Sequence, residues 1–302
     1  MAIMQDKGAS ILAKLKNKAR ASNISFQHCL QLFFQEEFLR RLANSSYSQN
    51  FILKGGLFIY TLTNFKSRAT IDIDFLVQYL SNEATLVDKI ITEIISVPTG
   101  FNDIVIFEAG KTEPIALQMK YQGVRIQIIG HIKKVRLPFN IDIGIGDVVI
   151  PKPEKRIIKT QLEGFDAPKI LTYSLESTIA EKFEAMLQRF ELTSRMKDFY
   201  DIFYLAHTFN FKGKKIQEAL TKTLNNRGTL LETGSLDRIL RLTDDAAIQV
   251  RWRNFQKTMQ IKEITLSEIM QTLTVFLRPI CEAIISNSAL NKNWKAELLR
   301  WE

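Results

Sequence analysis

The sequence predicts an α/β (α+β) unit with a mixed sheet, followed by a helical C-terminal domain. Three observations predict it. Strand-like alternation is interleaved with helical periodicity up to about residue 150. After Tyr173 the apolar spacing is almost entirely helical. Between the two, Pro138, Pro151, Pro153 and Pro168 punctuate a connecting region, which places the boundary around residues 165–172.

The elements follow in order. Residues 8–43 read as helical, with Leu30, Leu32, Phe33, Phe34, Phe38, Leu39 and Leu42 at helical spacing. Residues 44–50 are a polar break. Phe51-Ile52-Leu53 is a short apolar run ending at Gly55-Gly56, and a helix begins near Leu57. Arg68 to Val77 reads as a strand with Ile71, Ile73 and Phe75 on one face and Asp72 and Asp74 on the other. Residues 83–96 form an amphipathic helix. Strands are expected at 104–109, 116–121 and 124–129, with a further one at 140–144. In the second half the expected helices are 174–190, 195–208, 216–224, 235–255 and 266–286.

Composition sets outer limits. The chain has 302 residues, 46% hydrophobic and 24% charged, the mix of a soluble globular protein. Two cysteines, Cys29 and Cys281, exclude a disulfide-dense scaffold and fit a reducing compartment. Three scattered histidines do not make a Cys/His zinc site. The apolar run at 51–62 is too short and too interrupted to span a membrane. No secretory signal opens the chain, so a cytoplasmic protein is expected. The net charge of +9 is spread over both halves and points to an anionic partner such as a nucleic acid, or simply to a basic surface.

The first group with chemistry is Lys54-Gly55-Gly56, then Arg68-Ala69-Thr70-Ile71-Asp72-Ile73-Asp74. Carboxylates at i and i+2 on a strand share a face. They repel unless a cation sits between them. Hard oxygen ligands so spaced suit Mg²⁺ with nucleotide phosphates and water. A diglycine entering a helix lets backbone N–H groups approach a phosphate. Taken singly, Asp-x-Asp is usually a solvated face and Gly-Gly a turn. A later acid, Asp142, with Asp147 behind it, reads on its residues alone as a loop acid among glycines.

The second and third groups lie in the helical half. Lys182 sits on or beside the stripe Leu175, Ile179, Phe183, Met186 and Phe190, where an ammonium needs an anion or a path to solvent. Glu181 and Glu184 are placed toward solvent. In Arg195-Met196-Lys197-Asp198-Phe199-Tyr200-Asp201, the face holding Met196, Phe199, Tyr200 and Phe203 is buried, and Asp198 and Asp201 share another. Asp198 is also favoured early in a helix by the macrodipole.

In this order, Lys-Gly-Gly, Arg-x-Thr-x-Asp-x-Asp, Asp-Ile-Gly-x-Gly-Asp, Glu-Lys-x-x-Ala and Arg-x-Lys-Asp-x-Tyr-Asp, the chain resembles the AbiEii family. These are nucleotidyltransferase toxins of AbiE-type abortive-infection and toxin–antitoxin systems, related to the mycobacterial MenT toxins and, by fold, to the DNA polymerase β superfamily. The resemblance runs from about residue 50 to 208. It implies a nucleotidyltransferase core with N-terminal helices at 1–168 and a helical domain at 169–302. It implies that Asp72 and Asp74 hold Mg²⁺, with Asp142, and Asp147 behind it, as the candidate third ligand. It implies that Gly55 and Gly56 grip the nucleotide, where many relatives have Gly-Ser, so that Gly56 removes a hydroxyl that could touch a phosphate. It implies that Lys182 neutralises the triphosphate and that Asp198 is a base or a partner of Lys182. Lys54, Arg68 and Arg195 are candidate phosphate or scaffold contacts.

The expected activity is Mg²⁺-dependent transfer of NMP from an NTP to an acceptor hydroxyl. The resemblance suggests a tRNA 3′ end, with translation blocked. It also suggests a separately encoded antitoxin that forms no stable complex. Lys212, Lys214, Lys215, Arg251 and Arg253 are candidates for an RNA track or ordinary solvated surface. Nucleotidylation of a protein, a non-catalytic nucleotide- or nucleic-acid-binding module, and a small-molecule nucleotidyltransferase are the competing readings.

Overall fold

The computed structural model describes residues 6–81, 83–101, 104–115, 123–188, 195–261 and 263–302. These form two compact units: Met1–Gly146 with Glu154–Thr172, and Asp147–Pro153 with Tyr173–Glu302. Relative to a single cut at residue 168, the segment 147–153 groups with the helices. Ile150 is tied there: its carbonyl accepts from the hydroxyls of Ser174 (2.7 Å) and Ser177 (3.0 Å), and its N–H donates to Ser177 Oγ (2.7 Å).

The first unit begins with two helices, α1 (Lys7–Ala21) and α2 (Phe26–Asn44). One continuous helix over 8–43 is therefore corrected. Asn23 takes φ +53° and Ser25 accepts from the N–H of His28, so the chain stops and is recapped within four residues. Strand β1 (Phe51–Lys54) runs directly into α3 (Gly55–Leu62). Then come β2 (Ile73–Val77), α4 (Ala84–Ser96), β3 (Ile106–Ile115), β4 (Gly123–Ile132), β5 (Val135–Gly144), β6 (Glu154–Ile157) and β7 (Lys169–Thr172). The strand expected at 116–121 lies outside the described residues.

The seven strands form one mixed sheet in the order β3-β4-β5-β2-β1-β7-β6. The β2–β5 and β1–β7 pairs are parallel and the others antiparallel. Helices α2 and α4 pack on the sheet. Phe33, Phe34 and Phe38 of α2 are fully buried, as are Phe75, Ile126, Ile128 and Ile141 of the strands. Such burial is the dominant stabilising contribution, on the order of 2 kcal/mol per large side chain. Helix α2 is buried nearly all round, polar residues included. Glu36, Glu37, Arg40 and Arg41 pair with one another through ion pairs of 2.6–3.1 Å. Arg41 also donates to the Ile95 and Val105 carbonyls.

The strand expected at 68–77 is shortened. It begins at Ile73, and Ile71 is 58% exposed. The Ile71 carbonyl accepts from the side chains of Gln31 (2.6 Å) and Gln35 (2.8 Å) instead of from a neighbouring strand.

The second unit contains α5 (Leu175–Gln188), α6 (Met196–Thr208), α7 (Gly213–Arg227), α8 (Ser235–Leu240), α9 (Ala246–Met259) and α10 (Leu266–Ile285). The single helix expected at 235–255 is interrupted by a 3₁₀ turn at Arg241–Asp244, after which Asp245 caps α9. A small antiparallel sheet, β8 (Phe211–Lys212), β9 (Asn293–Lys295) and β10 (Arg300–Trp301), was not legible in the helical patterns. Trp294 anchors it, fully buried, with its indole N–H donating to the Ala206 carbonyl at 2.7 Å. No helix among the described residues is long and apolar enough to cross a membrane.

Candidate active site

Strand register lines up charged residues across the sheet. Lys54 of β1 lies opposite Asp74 of β2, Asp74 opposite Asp142 of β5, Asp142 opposite Arg125 of β4, and Arg125 opposite Glu113 of β3. Cross-strand partners share a face. On this face the residues are only partly buried. The opposite face carries Ile73, Phe75, Ile126, Ile141 and Ile143, all buried in the core. Alternation thus holds two adjacent carboxylates, flanked by cations, against a dry layer beneath. Asp72 precedes β2 by one residue and is separated from Asp74 only by fully buried Ile73.

The β1–α3 turn meets this row. Gly55 takes φ +69°, a left-handed conformation that side chains rarely adopt. A Cβ there would come within 2.7 Å of Asp74 Cγ. Lys54, the N-cap of α3, makes no side-chain cap. The second glycine is explained by its neighbours too. A Cβ on Gly56 would lie 2.7 Å from Thr70 Oγ1 and 3.4 Å from Arg68 Nη2. The place a serine side chain would take after Gly55 is filled by Thr70 and Arg68, both largely buried. Thr70 therefore puts a hydroxyl beside the helix N-terminus, next to the glycine that stands where many relatives have serine.

Asp142 stands in the row, but both its oxygens are engaged. Arg125 Nε donates to Oδ1 and Nη2 to Oδ2, each at 2.7 Å. This bidentate hydrogen bonding holds the guanidinium firmly protonated despite partial desolvation, and Asp142 and Asp72 add charge attraction. Among the described residues no three His, Cys, Asp or Glu side chains are gathered to hold a metal. Asp72 and Asp74, with hard oxygens two residues apart, are the donor pair that fits a divalent cation.

The second unit holds its own charged cluster. Lys182 of α5 reaches Asp198 Oδ1 at 2.9 Å and Asp201 Oδ2 at 2.7 Å on α6, all three nearly buried. Arg195 binds the other oxygen of Asp198. Burial raises the Asp198 pKa, but the charges of Lys182 and Arg195 outweigh it and hold the carboxyl below its usual value. Lys182 thus meets anions, not solvent, and the Asp198–Asp201 face is a buried one.

A separate group surrounds Arg227 of α7. It binds Glu184 (2.7 Å), Asp147 (2.9 Å) and Glu181 (3.5 Å). Glu184 is 1% exposed, which corrects its expected solvent position. Its second oxygen accepts from Thr229. Asp147 therefore groups with Arg227 in the second unit.

A strand, a glycine turn into a helix, and a strand entered through paired acids, in a mixed sheet, define a nucleotidyltransferase. The chain belongs to the AbiEii family: residues 37–274 match the family of the nucleotidyl transferase AbiEii toxin of type IV toxin–antitoxin systems. Two solved structures share the fold. JHP933 from Helicobacter pylori is 18% identical, covering 86% of this chain and 94% of its own, with a TM-score of 0.50. MenT4, a nucleotidyltransferase toxin from Mycobacterium tuberculosis H37Rv, is 14% identical, covering 90% and 99%, with a TM-score of 0.51. No curated protein matches the chain. The family uses an NTP and a divalent metal, and its toxins are paired with a separate antitoxin.

Sequence reasoning passed over Arg125 and the hydroxyl of Thr70. The signal for Arg125 was present: in Val124 to Ile129 it alternates with apolar residues, so it projects from the same face as the acids.

Proposed function

We propose that the chain transfers a nucleotidyl group from an NTP to an RNA 3′ hydroxyl, with Asp72 and Asp74 holding Mg²⁺. The observation that supports this most strongly is the adjacency of Asp74 to the Gly55 turn on the open face of the sheet. Phosphates would lie at the N-terminus of α3, where backbone N–H groups and the helix dipole favour anions. Lys54 and Arg68 would add positive charge, and the Thr70 hydroxyl a hydrogen bond. The bound cation would polarise the α-phosphate and lower the pKa of the acceptor hydroxyl. The acceptor proton would pass toward Asp74, the hydroxyl oxygen would bond to the α-phosphorus in line, and pyrophosphate would leave. Positioning and charge neutralisation would supply most of the rate.

Lys182 and Asp198 are proposed as essential to the same reaction on the family resemblance. Their mutual ion pair supports a role for Asp198 in setting the position of Lys182. A tRNA 3′ end as acceptor, a resulting block of translation and a role in phage defence are what the family membership favours. The net charge of +9 agrees with an RNA acceptor. An antitoxin acting without a stable complex belongs to the same reading.

The test is transfer of label. Purified protein, Mg²⁺ and total RNA are incubated with each α-³²P-NTP in turn. Label in tRNA-sized RNA, lost in the Asp72→Asn/Asp74→Asn variant, is expected. Label in protein alone would replace RNA by a protein acceptor.

A further inference from the structure

We infer that Arg125 is the standing counter-ion of Asp142, so that this face binds its divalent cation through Asp72 and Asp74 alone, with the guanidinium in the position of a second cation. The inference rests on the proposed reading of Asp72 and Asp74 as the metal pair and says how many cations that pair serves.

The geometry carries it. Arg125 and Asp142 are register partners on adjacent antiparallel strands, so their backbones are fixed relative to each other by the ladder. The pair is bidentate, at 2.7 Å on each oxygen. A planar fork on a carboxylate is the strongest form of this contact. The other acid facing Arg125 across the sheet, Glu113, has its own cation, Lys111, at 2.9 Å. Asp142 is therefore the carboxylate that Arg125 serves directly. A cation bound by Asp142 would have to sit beside a guanidinium that cannot deprotonate.

The side chains are not core elements. Arg125 is 37% exposed and Asp142 18%, so both can be changed without opening a cavity. Removing Arg125 alone should release Asp142 and strengthen cation binding. Removing both charges together should leave the cation where it was.

The experiment is Mn²⁺ binding to the full chain, read by electron paramagnetic resonance of the free ion, with no turnover needed. The wild type is expected to bind one Mn²⁺, lost in Asp72→Asn/Asp74→Asn. Arg125→Gln is expected to bind Mn²⁺ about five-fold tighter or to take up a second ion. Arg125→Gln/Asp142→Asn is expected to bind within about two-fold of wild type, because no ligand has been lost. A wild type with two sites overturns the inference. So does a loss of about ten-fold or more in the charge-neutral double variant, the size of effect that follows removal of a ligand or of a group that orients one. Mn²⁺ binding that survives Asp72→Asn/Asp74→Asn overturns the metal-pair reading itself, and the inference with it.

Discussion

The Asp74 carboxyl packs against the Cα of Gly55, leaving no room for a methyl group between them. The turn that enters α3 and the acid on β2 are therefore one structural unit. Gly55→Ala combines a left-handed backbone with a clash against Asp74. It is expected to destabilise by about 2–4 kcal/mol and to displace the carboxylate. Thermal unfolding and Mn²⁺ affinity should fall together in this variant.

Gly56 is constrained by packing, since its φ is unexceptional. Gly56→Ser is expected to cost about 1–3 kcal/mol through overlap with Thr70. In a Thr70→Ala background the cost should shrink, because the obstructing hydroxyl has gone. A double-mutant cycle on the melting temperature measures this coupling.

Lys182 neutralises two buried carboxylates. Lys182→Ala leaves Asp198 and Asp201 without it and is expected to destabilise by about 3–5 kcal/mol. The three tryptophans, Trp252, Trp294 and Trp301, all lie in the second unit, so their fluorescence follows its unfolding selectively. An inactive Lys182→Ala with an unchanged denaturation curve would contradict this burial. The same probe applies to Arg227→Ala, which strands Glu184 in the interior and should cost a similar amount.

The depressed pKa of Asp198 gives a pH dependence with a definite sign. Its folded value lies below the ordinary 3.8. The stabilisation is therefore fully present above 3.8 and is lost as pH falls through the folded value. The difference in denaturation midpoint between wild type and Asp198→Asn should be complete at pH 6 and narrow as pH drops below 3.8. A gap that stays constant through the acid range would contradict the ion pair.

The motifs themselves are legible in the sequence, because the order of Lys54-Gly55-Gly56 and Asp72-x-Asp74 is local. The strand, however, begins at Ile73 and leaves Asp72 one residue outside it. The pairing of those acids comes from register. Asp74 meets Asp142 across strands far apart in the chain. Arg125 faces Asp142 across the β4–β5 hairpin, where alternation shows its face but not its partner. Asp198 and Asp201 fall on a face apart from the apolar one because helical periodicity counts charge as polar and does not see Lys182 across the helix pair. Strands β6 and β7 were hidden by their length, four residues each, among prolines. The break at residues 22–25 was written in Ser22-Asn23-Ile24-Ser25, a stop followed by a cap, but apolar spacing on both sides concealed it.

The central claim is that Asp72 and Asp74 carry nucleotidyl transfer through a divalent cation. Its most direct measurement is pyrophosphate release from NTP in the presence of RNA, over a Mg²⁺ titration, for wild type and the single variants Asp72→Asn and Asp74→Asn, each checked for wild-type circular dichroism. The account predicts saturable dependence on Mg²⁺ and a fall of about 10³-fold in each folded variant. Release that persists without a divalent cation, or survives either substitution at near wild-type rate, would contradict it.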